Sequence, residues 1–583
     1  MAAGPLVRFE RQKLKAIYEK RPWLRLYPEW VPADLEIPNQ TALDDFENAA
    51  NQSPGKPAIY YFDRVITYRE LNAFSNRLAW ALSDWGIKKG DRIMVVLQNI
   101  PQFPISLYGA WKTGAIVVPL NPMYKEKELR YFCQDSGARI LIIQDDVAAG
   151  LDLGFLKETS IEKVITTSPL DLLIHPDEPP VLLKGFKKIT LPGTLDLMEV
   201  TAPYKEERLK QPDLSPADIA YLTYTSGTTG PPKGAMNTHG NIVFNARIYQ
   251  IFMQMGDEDV ILGAAPLFHV TGEIGHLANA ALVGCPIILY YRFDAGETLR
   301  MIERWKATMT IAAITVYIAL MNHPDIHKRD LSSLKKAYSG GAPVSAAVVD
   351  QFKALTGLVI HNAYGMTETT SPSHLVPLGM PTPVDPESGA LSVGLPVSNT
   401  VVKIMDLESG TRELPPDDTG EIVDFGPMVV PGYWQKSEET RHAIREGWLY
   451  TGDVGKMDEA GWFYLVDRKK DLIVASGYKV WPRDVEDVIY QHPAVKETAV
   501  IGVPDPYRGE TVKAFVTLKP GREHSVTPEE IIAFCKERMA AYKYPRQVEL
   551  VSEIPKTLTG KLLRRDLREK EIADRRDPTH KNP

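Results

Sequence analysis

The stretch YLTYTSGTTGPPKGAMNTHGN, residues 221–241, decides how the rest of the chain is interpreted. It begins as an apolar strand and passes directly into threonine, serine and glycine residues that end at Lys233. Glycine and small hydroxyl residues let a backbone approach phosphate closely, and lysine supplies the opposite charge. The register is not that of a Walker A loop, because Lys233 is followed by Gly234 rather than serine or threonine. A flexible strand-to-helix turn is the alternative, but the density of hydroxyls favours a phosphate-binding loop.

On both sides of this stretch, short β-branched runs alternate with longer amphipathic segments. RIMVVL (92–97) follows a helix-like segment and precedes another, before AIVVPL (115–120). The same order returns around VILGAAP (260–266), CPIILY (285–290) and the apolar run 309–321. This alternation is typical of layered α/β structure. The sequence therefore predicts an α/β fold with a large N-terminal region of layered subdomains, in which 309–321 is a buried core segment too short to span a bilayer.

The pattern changes at three places further along the chain. Residues 151–211 contain prolines that interrupt regular elements, and we expect a surface insertion there. After Gly394, strand-like pieces separated by turn-rich text predict a β subdomain. The charged run DRKKD, 467–471, then precedes a pattern of helices and strands typical of a small α/β domain. We predict an N-terminal arm at 1–40, an N-terminal domain at 41–469 and a C-terminal domain at 470–583.

Composition narrows the function classes. The 583 residues are 44% hydrophobic and 24% charged, enough to bury a large core, and the net charge of −7 gives no basic field for nucleic acid. The three cysteines lie far apart, without zinc spacing. The N-terminus lacks the apolar core of a secretory signal, and the C-terminal HKNP matches no retention or peroxisomal address. We therefore expect a cytoplasmic protein that does not bind nucleic acid.

Five further motifs follow the Tyr221–Asn241 stretch. They are SGGAPVS at 339–345, NAYGMTET at 362–369, YTGD at 450–453, DRKKDLIVASGYKV at 467–480 and PKTLTGKLLRR at 555–565. Together with TSGTTGPPKG they resemble, in order, the motifs of the adenylate-forming superfamily of acyl-CoA synthetases, peptide-synthetase adenylation domains and luciferases. The resemblance extends from about Ile59 to Arg568. It implies an enzyme that activates a carboxylate with ATP through an acyl-AMP intermediate.

The resemblance implies a set of ATP-binding residues. Those for the β- and γ-phosphates are Thr225, Ser226, Gly227, Thr228, Thr229, Gly230 and Lys233. Gly341, Ala342 and Pro343 would form the wall of the adenine slot, and Tyr364 would stack on the base. Asp453 and Arg468 would bind the ribose, a task for which a carboxylate has two acceptor oxygens. Thr367 would bond the α-phosphate, and Thr228 and Glu368 would hold Mg²⁺, which prefers oxygen ligands.

The same resemblance implies residues for the two chemical steps. Lys561 would stabilise the charge that develops during adenylation. His269, in PLFHVTG, would position the carboxylate, although a lone histidine beside an apolar run is often only a core residue. Lys470 would be the hinge about which the C-terminal domain rotates. After rotation, Ser476 and Gly477 would line the pantetheine path of coenzyme A and Lys479 would meet its phosphate. No catalytic nucleophile on the protein is required.

The identity of the acid and of the acceptor is less constrained. Free coenzyme A is the expected acceptor, because too few residues follow Lys561 for a carrier domain. GYKVWPRDVEDVIYQHP and the insertion resemble fatty-acyl ligases, so we predict a medium- or long-chain fatty acid. Glu273 would be awkward in an apolar tunnel unless it points away. An aryl-CoA ligase, transfer to a protein acceptor, a luciferase and a non-catalytic binding protein are the alternatives.

The N-terminal segment leaves two questions of assembly open. Its aromatic text RPWLRLYPEW, residues 21–30, and the insertion could contact a membrane surface weakly, because tryptophan and arginine favour interfaces. Ordinary packing on the protein surface is the simpler expectation. The segment before Thr41 could also pack on a second copy in a homodimer.

Overall fold

A computed structural model describes residues 18–210, 212–225, 231–342, 344–386, 389–475, 478–505, 508–522, 525–556 and 562–576. Their α-helices span Ala42–Gln52, Tyr68–Asp84, Gln102–Lys112, Glu126–Ser136, Asp145–Ala149, Leu197–Thr201, His239–Phe252, Asn279–Val283, Ala295–Trp305, Ile314–Met321, Ala346–Thr356, Ser437–Ala443, Pro482–Tyr490, Pro528–Lys536 and Arg564–Arg576. Shorter 3₁₀ turns span Pro22–Leu26, Leu153–Glu158, Val181–Leu183, Ile326–Lys328, Thr367–Thr369 and Lys469–Asp471, and Thr271–Ala278 is a π-helix.

A seven-stranded sheet carries the Tyr221–Asn241 stretch at one edge. In spatial order its strands are Leu195–Asp196, Lys163–Thr167, Ile140–Gln144, Arg92–Val96, Ile116–Pro119, Ile219–Thr225 and Lys233–Thr238. All neighbours are parallel except the last two, which form an antiparallel hairpin. The predicted phosphate loop therefore connects the two edge strands of this sheet.

A nine-stranded sheet forms the second layer of the large N-terminal region. Its strands, in spatial order, are Leu395–Pro396, Ser371–Leu375, Ile360–Met366, Lys336–Ser339, Met309–Ala312, Ile261–Leu262, Ile287–Leu289, Pro57–Tyr61 and Arg64–Thr67. One apolar core contains residues of both sheets and of the helices Gln102–Lys112 and His239–Phe252, which are buried almost throughout. These helices are therefore packed between the sheets, and the predicted α/β layering is confirmed.

Two smaller sheets follow. A five-stranded antiparallel sheet comprises Val401–Met405, Gly420–Phe425, Ile444–Arg445, Trp448–Met457 and Phe463–Arg468. It is the β subdomain expected after Gly394. The C-terminal sheet comprises Ile473–Ala475, Tyr478–Val480, Val495–Asp505, Gly509–Leu518 and Gln547–Leu550. Its helices Pro482–Tyr490 and Pro528–Lys536 bury Val485 and Ile531 in a separate apolar cluster, as expected for a small α/β domain.

The prediction of a surface insertion over residues 151–211 is wrong for part of that range. Lys163–Thr167 pairs in parallel with Ile140–Gln144 inside the seven-stranded sheet. Leu183 is fully buried in the main core. The prolines that suggested an irregular surface segment come after this strand, whose β-branched residues KVITT suit a pleated, buried position. The apolar run 309–321, by contrast, is buried as predicted, as a strand followed by a helix.

The N-terminal segment from Tyr18 onward packs on the chain's own β subdomain. The Tyr18 hydroxyl donates to the carbonyl oxygen of Leu414 at 2.7 Å, and Trp23 is fully buried edge-on against Phe463 with ring centroids 5.8 Å apart. Trp30, only seven residues later, is 45% exposed. No helix in the described part of the chain combines the length and apolar composition that crossing a bilayer requires.

We predict that Trp23→Ala lowers the stability of the β subdomain by about 3–5 kcal/mol, because it leaves a cavity against Phe463. Trp30→Ala is the matched control, and a half-exposed tryptophan should change stability by about 0.5 kcal/mol or less. Thermal unfolding followed by tryptophan fluorescence and by calorimetry checks this. Equal unfolding midpoints in the two variants would contradict the packing of the N-terminal segment.

Candidate active site

The hairpin that carries the predicted phosphate loop is closed by Thr225 and Lys233. These residues are cross-strand partners, and the Thr225 hydroxyl lies 3.5 Å from the carbonyl oxygen of Lys233. Ser226, Gly227, Thr228, Thr229 and Gly230 lie outside the described residues. The Lys233 ammonium lies 5.1 Å from the centroid of the Tyr433 ring, within reach of a cation–π interaction. The lysine is thereby held at the mouth of the loop.

Tyr433 connects this lysine to the predicted metal ligand. Its hydroxyl donates to Glu368 Oε1 at 2.7 Å, and both side chains are buried. Burial and the Glu368 carboxylate both raise the pKa of Tyr433. Lys233, Tyr433 and Glu368 thus form one chain of contacts, although they come from distant parts of the sequence. Sequence analysis did not single out Tyr433; the text PGYW at 431–434 offered no spacing that ties it to Glu368.

Glu368 lies in a tight turn whose backbone is strained on its C-terminal side. Thr370 and Ser371 have φ values of 51° and 86°, a conformation that residues with a Cβ rarely adopt. Asn245 stabilises this turn by donating to the carbonyl oxygens of Thr369 and Thr370 at 2.8 and 2.6 Å. Asn237 donates to the carbonyl oxygen of Thr367 at 3.0 Å. The turn that presents Thr367 and Glu368 is therefore fixed by the helix and strand that follow the phosphate loop.

The predicted adenine and ribose residues touch each other directly. The Tyr364 hydroxyl donates to Asp453 Oδ2 at 2.9 Å, and both side chains are buried. Tyr364 lies in the strand Ile360–Met366 of the nine-stranded sheet, whereas Asp453 lies in the β subdomain opposite the backbone of Arg468. Burial, followed by the charge of Asp453, raises the pKa of Tyr364 well above its ordinary value. The phenol therefore stays protonated and donates this bond.

Gly341 and Ala342 lie in the turn after the strand Lys336–Ser339, which pairs with the strand that contains Tyr364. Gly341 has φ +79°, and a Cβ built on it would meet no heavy atom within 4 Å. Glycine is required there by the backbone conformation rather than by crowding. Pro343 lies outside the described residues. The geometry leaves an open surface beside Tyr364 that suits a flat base.

A second carboxyl, Asp424, lies behind the Tyr364–Asp453 pair and was not predicted. It is fully buried, and burial raises its pKa to about 7, with the Asp453 charge acting in the same direction. His374, also fully buried, has its ring 5.4 Å from that of Tyr364. Burial lowers the pKa of His374 to about 3, so it is neutral at physiological pH. Sequence reasoning missed Asp424 because GEIVDF reads only as an ordinary strand.

His269 lies just before the π-helix. Its Nδ1 accepts from the backbone N–H of Thr271 at 3.3 Å, so a neutral ring carries its proton on Nε2. The His269 carbonyl oxygen accepts the backbone N–H groups of Gly272 at 2.8 Å and Glu273 at 3.0 Å. Glu273 does not point into solvent: it is fully buried, and the Thr223 hydroxyl donates to its Oε2 at 3.0 Å. The strand that leads to the phosphate loop is thus joined to the π-helix.

The junction before the C-terminal domain is held by buried charges. Arg564 Nη1 donates to Asp467 at 3.0 Å and to Asp471 at 3.2 Å, and its Nη2 donates to Glu486 at 2.7 Å. The backbone N–H of Arg483 donates to Asp467 at 3.0 Å. Lone charges at this depth would be costly, and the network pairs them. Sequence analysis took Arg564 as part of a motif and assigned it no role.

Several predicted residues are only partly described. Arg468, Lys470 and Lys479 lie in the strand Phe463–Arg468, the turn Lys469–Asp471 and the strand Tyr478–Val480, and only their backbones are described. Ser476, Gly477 and Lys561 lie outside the described residues. The structure therefore brings together Thr225, Lys233, Thr367, Glu368, Tyr364 and Asp453 through their own or shared contacts.

Comparison with known proteins identifies the class. The AMP-binding enzyme family matches residues 46–434, and its C-terminal domain matches 484–561. A long-chain-fatty-acid–CoA ligase of Bacillus subtilis is 39% identical over 95% of this chain and 99% of its own length. A feruloyl-CoA synthase of an Amycolatopsis species is 35% identical over 89% of this chain and 96% of its own length. An anthranilate CoA ligase in complex with anthranoyl-AMP superposes with a TM-score of 0.82 at 28% identity, covering 93% and 99% of the two chains.

The fold and the site thus define an adenylate-forming ligase that joins an acid to a thiol. The chain belongs to the AMP-binding enzyme family. Ligases of this class take ATP, coenzyme A and a small-molecule carboxylic acid.

The raised pKa of Asp424 predicts a pH dependence of stability. At pH values between about 4, the pKa of an unfolded aspartate, and about 7, the folded chain keeps a proton that the unfolded chain has lost. The free energy of unfolding therefore falls as the pH rises through this window, by about 1.4 kcal/mol for each unit of pKa difference at most.

Asp424→Asn removes this titration, so we expect the variant to lose less stability across the window and to be more stable than the parent at pH 8. Thermal unfolding midpoints of both proteins, measured from pH 4 to 8, test this. Exposed Glu438→Gln is the control and should leave the profile unchanged. Parallel profiles for the parent and Asp424→Asn would contradict the assignment.

Proposed function

We propose that the protein activates a medium- or long-chain fatty acid with ATP and transfers the acyl group to coenzyme A, releasing AMP and pyrophosphate. The observation that carries this proposal is the likeness, over nearly the whole of both chains, to a long-chain-fatty-acid–CoA ligase. The contacts of Tyr364 with Asp453, of Lys233 with Tyr433 and of Tyr433 with Glu368 support it, because they connect residues that the sequence predicts to bind the nucleotide.

In the proposed ATP complex, the loop Thr225–Gly230 and Lys233 bind the β- and γ-phosphates through backbone amides, hydroxyls and one ammonium. The adenine lies against Tyr364 beside Gly341, Ala342 and Pro343. Asp453 accepts the ribose hydroxyls and Arg468 donates to the same sugar. The bond from Tyr364 fixes one oxygen of Asp453, so that the base and the sugar sites keep a constant spacing.

Glu368, with Thr228, is the proposed Mg²⁺ ligand. Its buried carboxylate offers hard oxygen atoms. Tyr433 lies between Glu368 and Lys233 and contacts both. Within the described residues there is no group of three or more acidic, histidine or cysteine side chains that could hold a metal by themselves. A site with few protein ligands suits Mg²⁺, which keeps waters and binds substrate phosphates. When bound, the ion would neutralise charge on the phosphates.

In the first step, a carboxylate oxygen of the acid attacks the α-phosphorus of ATP, and the bond to pyrophosphate breaks. Thr367 donates to the α-phosphate and Lys561 stabilises the negative charge that develops there. His269 presents its Nε2–H toward the acid carboxylate and orients it. The products are acyl-AMP and pyrophosphate, and no covalent enzyme intermediate forms.

In the second step, the thiolate sulfur of coenzyme A attacks the acyl carbonyl carbon, and the bond to AMP breaks. We propose that the domain 470–583 rotates about Lys470 relative to 41–469 between the two steps. Ser476 and Gly477 then line the pantetheine path and Lys479 meets a phosphate. Arg564, on the C-terminal side of this hinge, and Asp467, on its N-terminal side, are bonded at 3.0 Å, so this contact is expected to rearrange.

A second candidate, an aryl-CoA ligase, is favoured by the 35% identity to a feruloyl-CoA synthase. The mechanism would be unchanged, and only the acyl pocket would differ. Membrane-surface contact, a homodimer and a cytoplasmic location stay predictions from the sequence. For membrane contact, Trp30 is the exposed aromatic residue of the segment 21–30, whereas Trp23 is buried.

We predict that Glu368→Gln raises the Mg²⁺ concentration needed for half-maximal activity by about tenfold or more, because a neutral amide binds a hard cation poorly. The measurement is the rate of pyrophosphate release as Mg²⁺ is varied at saturating ATP. Exposed Glu438→Gln is the control and should match the parent. An unchanged Mg²⁺ dependence in Glu368→Gln would remove Glu368 as the ligand.

We also predict that AMP release requires coenzyme A and rises with chain length across a panel of saturated fatty acids, with aryl acids assayed in parallel. Lys561→Ala should slow AMP release about 10²–10³-fold, because it removes the charge that stabilises the transition state. Lys556→Ala is the matched control: this lysine lies five residues earlier and pairs with Glu497 on the surface of the C-terminal domain.

The outcomes separate the alternatives. Activity confined to aryl acids would keep the mechanism and change the substrate. Pyrophosphate release without thioester formation would indicate a different acceptor. Failure to release AMP with any acid would overturn the proposed function.

A further inference from the structure

Glu273 is a buried carboxyl that the proposed ATP chemistry does not use. It lies in the first turn of the π-helix Thr271–Ala278, directly after His269, and its backbone N–H donates to the His269 carbonyl oxygen at 3.0 Å. π-Helical turns are rare and are frequently found at functional sites. Because His269 is the residue proposed to orient the acid carboxylate, Glu273 is one turn away from the start of the acyl group.

Two buried oxygen atoms near the start of the π-helix have no hydrogen-bond partner among the described residues. Glu273 Oε2 accepts the Thr223 hydroxyl at 3.0 Å, but Oε1 has no hydrogen-bond partner among the described residues. The hydroxyl of Tyr221, also buried, has none in the same part of the chain and is close enough to Glu273 for its charge to affect the pKa of the phenol. Buried polar groups without partners are uncommon, and each calls for an explanation.

The π-helix that carries Glu273 is closely packed at two of its glycines, which leaves the helix little room to shift. A Cβ on Gly272 would lie 2.1 Å from the Pro266 carbonyl oxygen, and a Cβ on Gly275 would lie 3.0 Å from the Ile311 side chain. The π-helix is therefore pressed against its neighbours on both sides. The carboxyl stays where it is, fixed by Thr223 on one oxygen.

The protonation state decides which ligand could be recognised. Burial raises the pKa of Glu273 to about 8, so the group is a neutral acid at pH 7. The tautomer in which Thr223 donates to Oε2 carries its acid proton on Oε1, and Oε1 has no hydrogen-bond partner in the described protein. A neutral acid does not attract a cation, but it donates a hydrogen bond to an oxygen atom.

Resting on the proposed function, we propose that Glu273, with Tyr221, is a specificity-determining point in the wall of the acyl pocket. It takes an oxygen acceptor of the acyl group, such as a hydroxyl or keto oxygen, so that oxygenated acids are preferred over the unsubstituted acids of the same length. A site built to hydrogen-bond a substrate oxygen discriminates strongly against an analogue without it, because its own polar groups are then left unpaired.

The alternative is that Glu273 only pins the π-helix to the strand Ile219–Thr225. The test therefore compares kcat/KM between two acids of the same length, rather than the activity with one acid. The value of kcat/KM for coenzyme-A-dependent AMP release is measured for saturated acids and for the monohydroxy acids of the same length, with the hydroxyl at successive positions. A purely structural role would affect both members of each pair alike.

We expect the parent enzyme to prefer the hydroxylated acid by about tenfold or more at one hydroxyl position. Glu273→Leu should abolish that preference, whereas Glu273→Gln should keep part of it, because an amide still donates. Tyr221→Phe, which removes only the hydroxyl, should reduce the preference and keeps the test valid if Glu273→Leu does not fold. Asp145→Asn, a buried carboxyl in the seven-stranded sheet region, is the control and should leave the ratio unchanged.

Two results would overturn this inference. If unsubstituted acids release AMP and the ratios of the parent, Glu273→Leu and Tyr221→Phe are the same at every position, the recognition point is refuted while the ligase function stands. If neither member of any pair releases AMP, the proposed function fails and the inference fails with it.

Discussion

The hydrogen bond from Tyr364 to Asp453 is the contact on which the arrangement of the site depends. It joins the nine-stranded sheet to the five-stranded β subdomain, and the two also pack together in one apolar cluster. Both groups are buried, so the bond satisfies two polar side chains that have lost most of their contact with water. The bond therefore fixes the β subdomain in the position where its carboxylate meets the ribose side of the proposed nucleotide site.

The strained turn beside Glu368 shows a second constraint. The left-handed conformations of Thr370 and Ser371 would cost of order 1–3 kcal/mol each if nothing held them. Asn245 and the Tyr249 hydroxyl, which lies 2.6 Å from the Ser371 hydroxyl, come from the helix that follows the phosphate hairpin. The same helix therefore places the metal-binding side of the site relative to the phosphate loop, and strain at the turn reflects a fixed orientation of Thr367 and Glu368.

Buried acids lie on two sides of this centre, and both have raised pKa values because burial disfavours their charged forms. Asp424 stands behind the nucleotide groups, and Glu273 stands beside the proposed acyl pocket. Neither has a lysine or arginine ion pair among the described residues. At pH 7 Glu273 is therefore mostly neutral, whereas Asp424 is about half ionised. Ionisation of either group destabilises the fold, and Glu273 adds a polar atom where an apolar wall would otherwise be expected.

The sequence by itself determined the local features: the α/β alternation, the apolar strand that leads into TSGTTG, and the residue types at motifs such as YTGD, because these depend on spacing over a few residues. It could not place Tyr433 against Glu368, or Asp424 behind Tyr364, because these pairs are 65 and 60 residues apart and nothing periodic connects them. It also misjudged residues 163–167, whose strand is stabilised by a parallel neighbour rather than by its flanking text. Only the tertiary structure decided which buried polar groups are paired, because pairing depends on distance in space and not on distance along the chain.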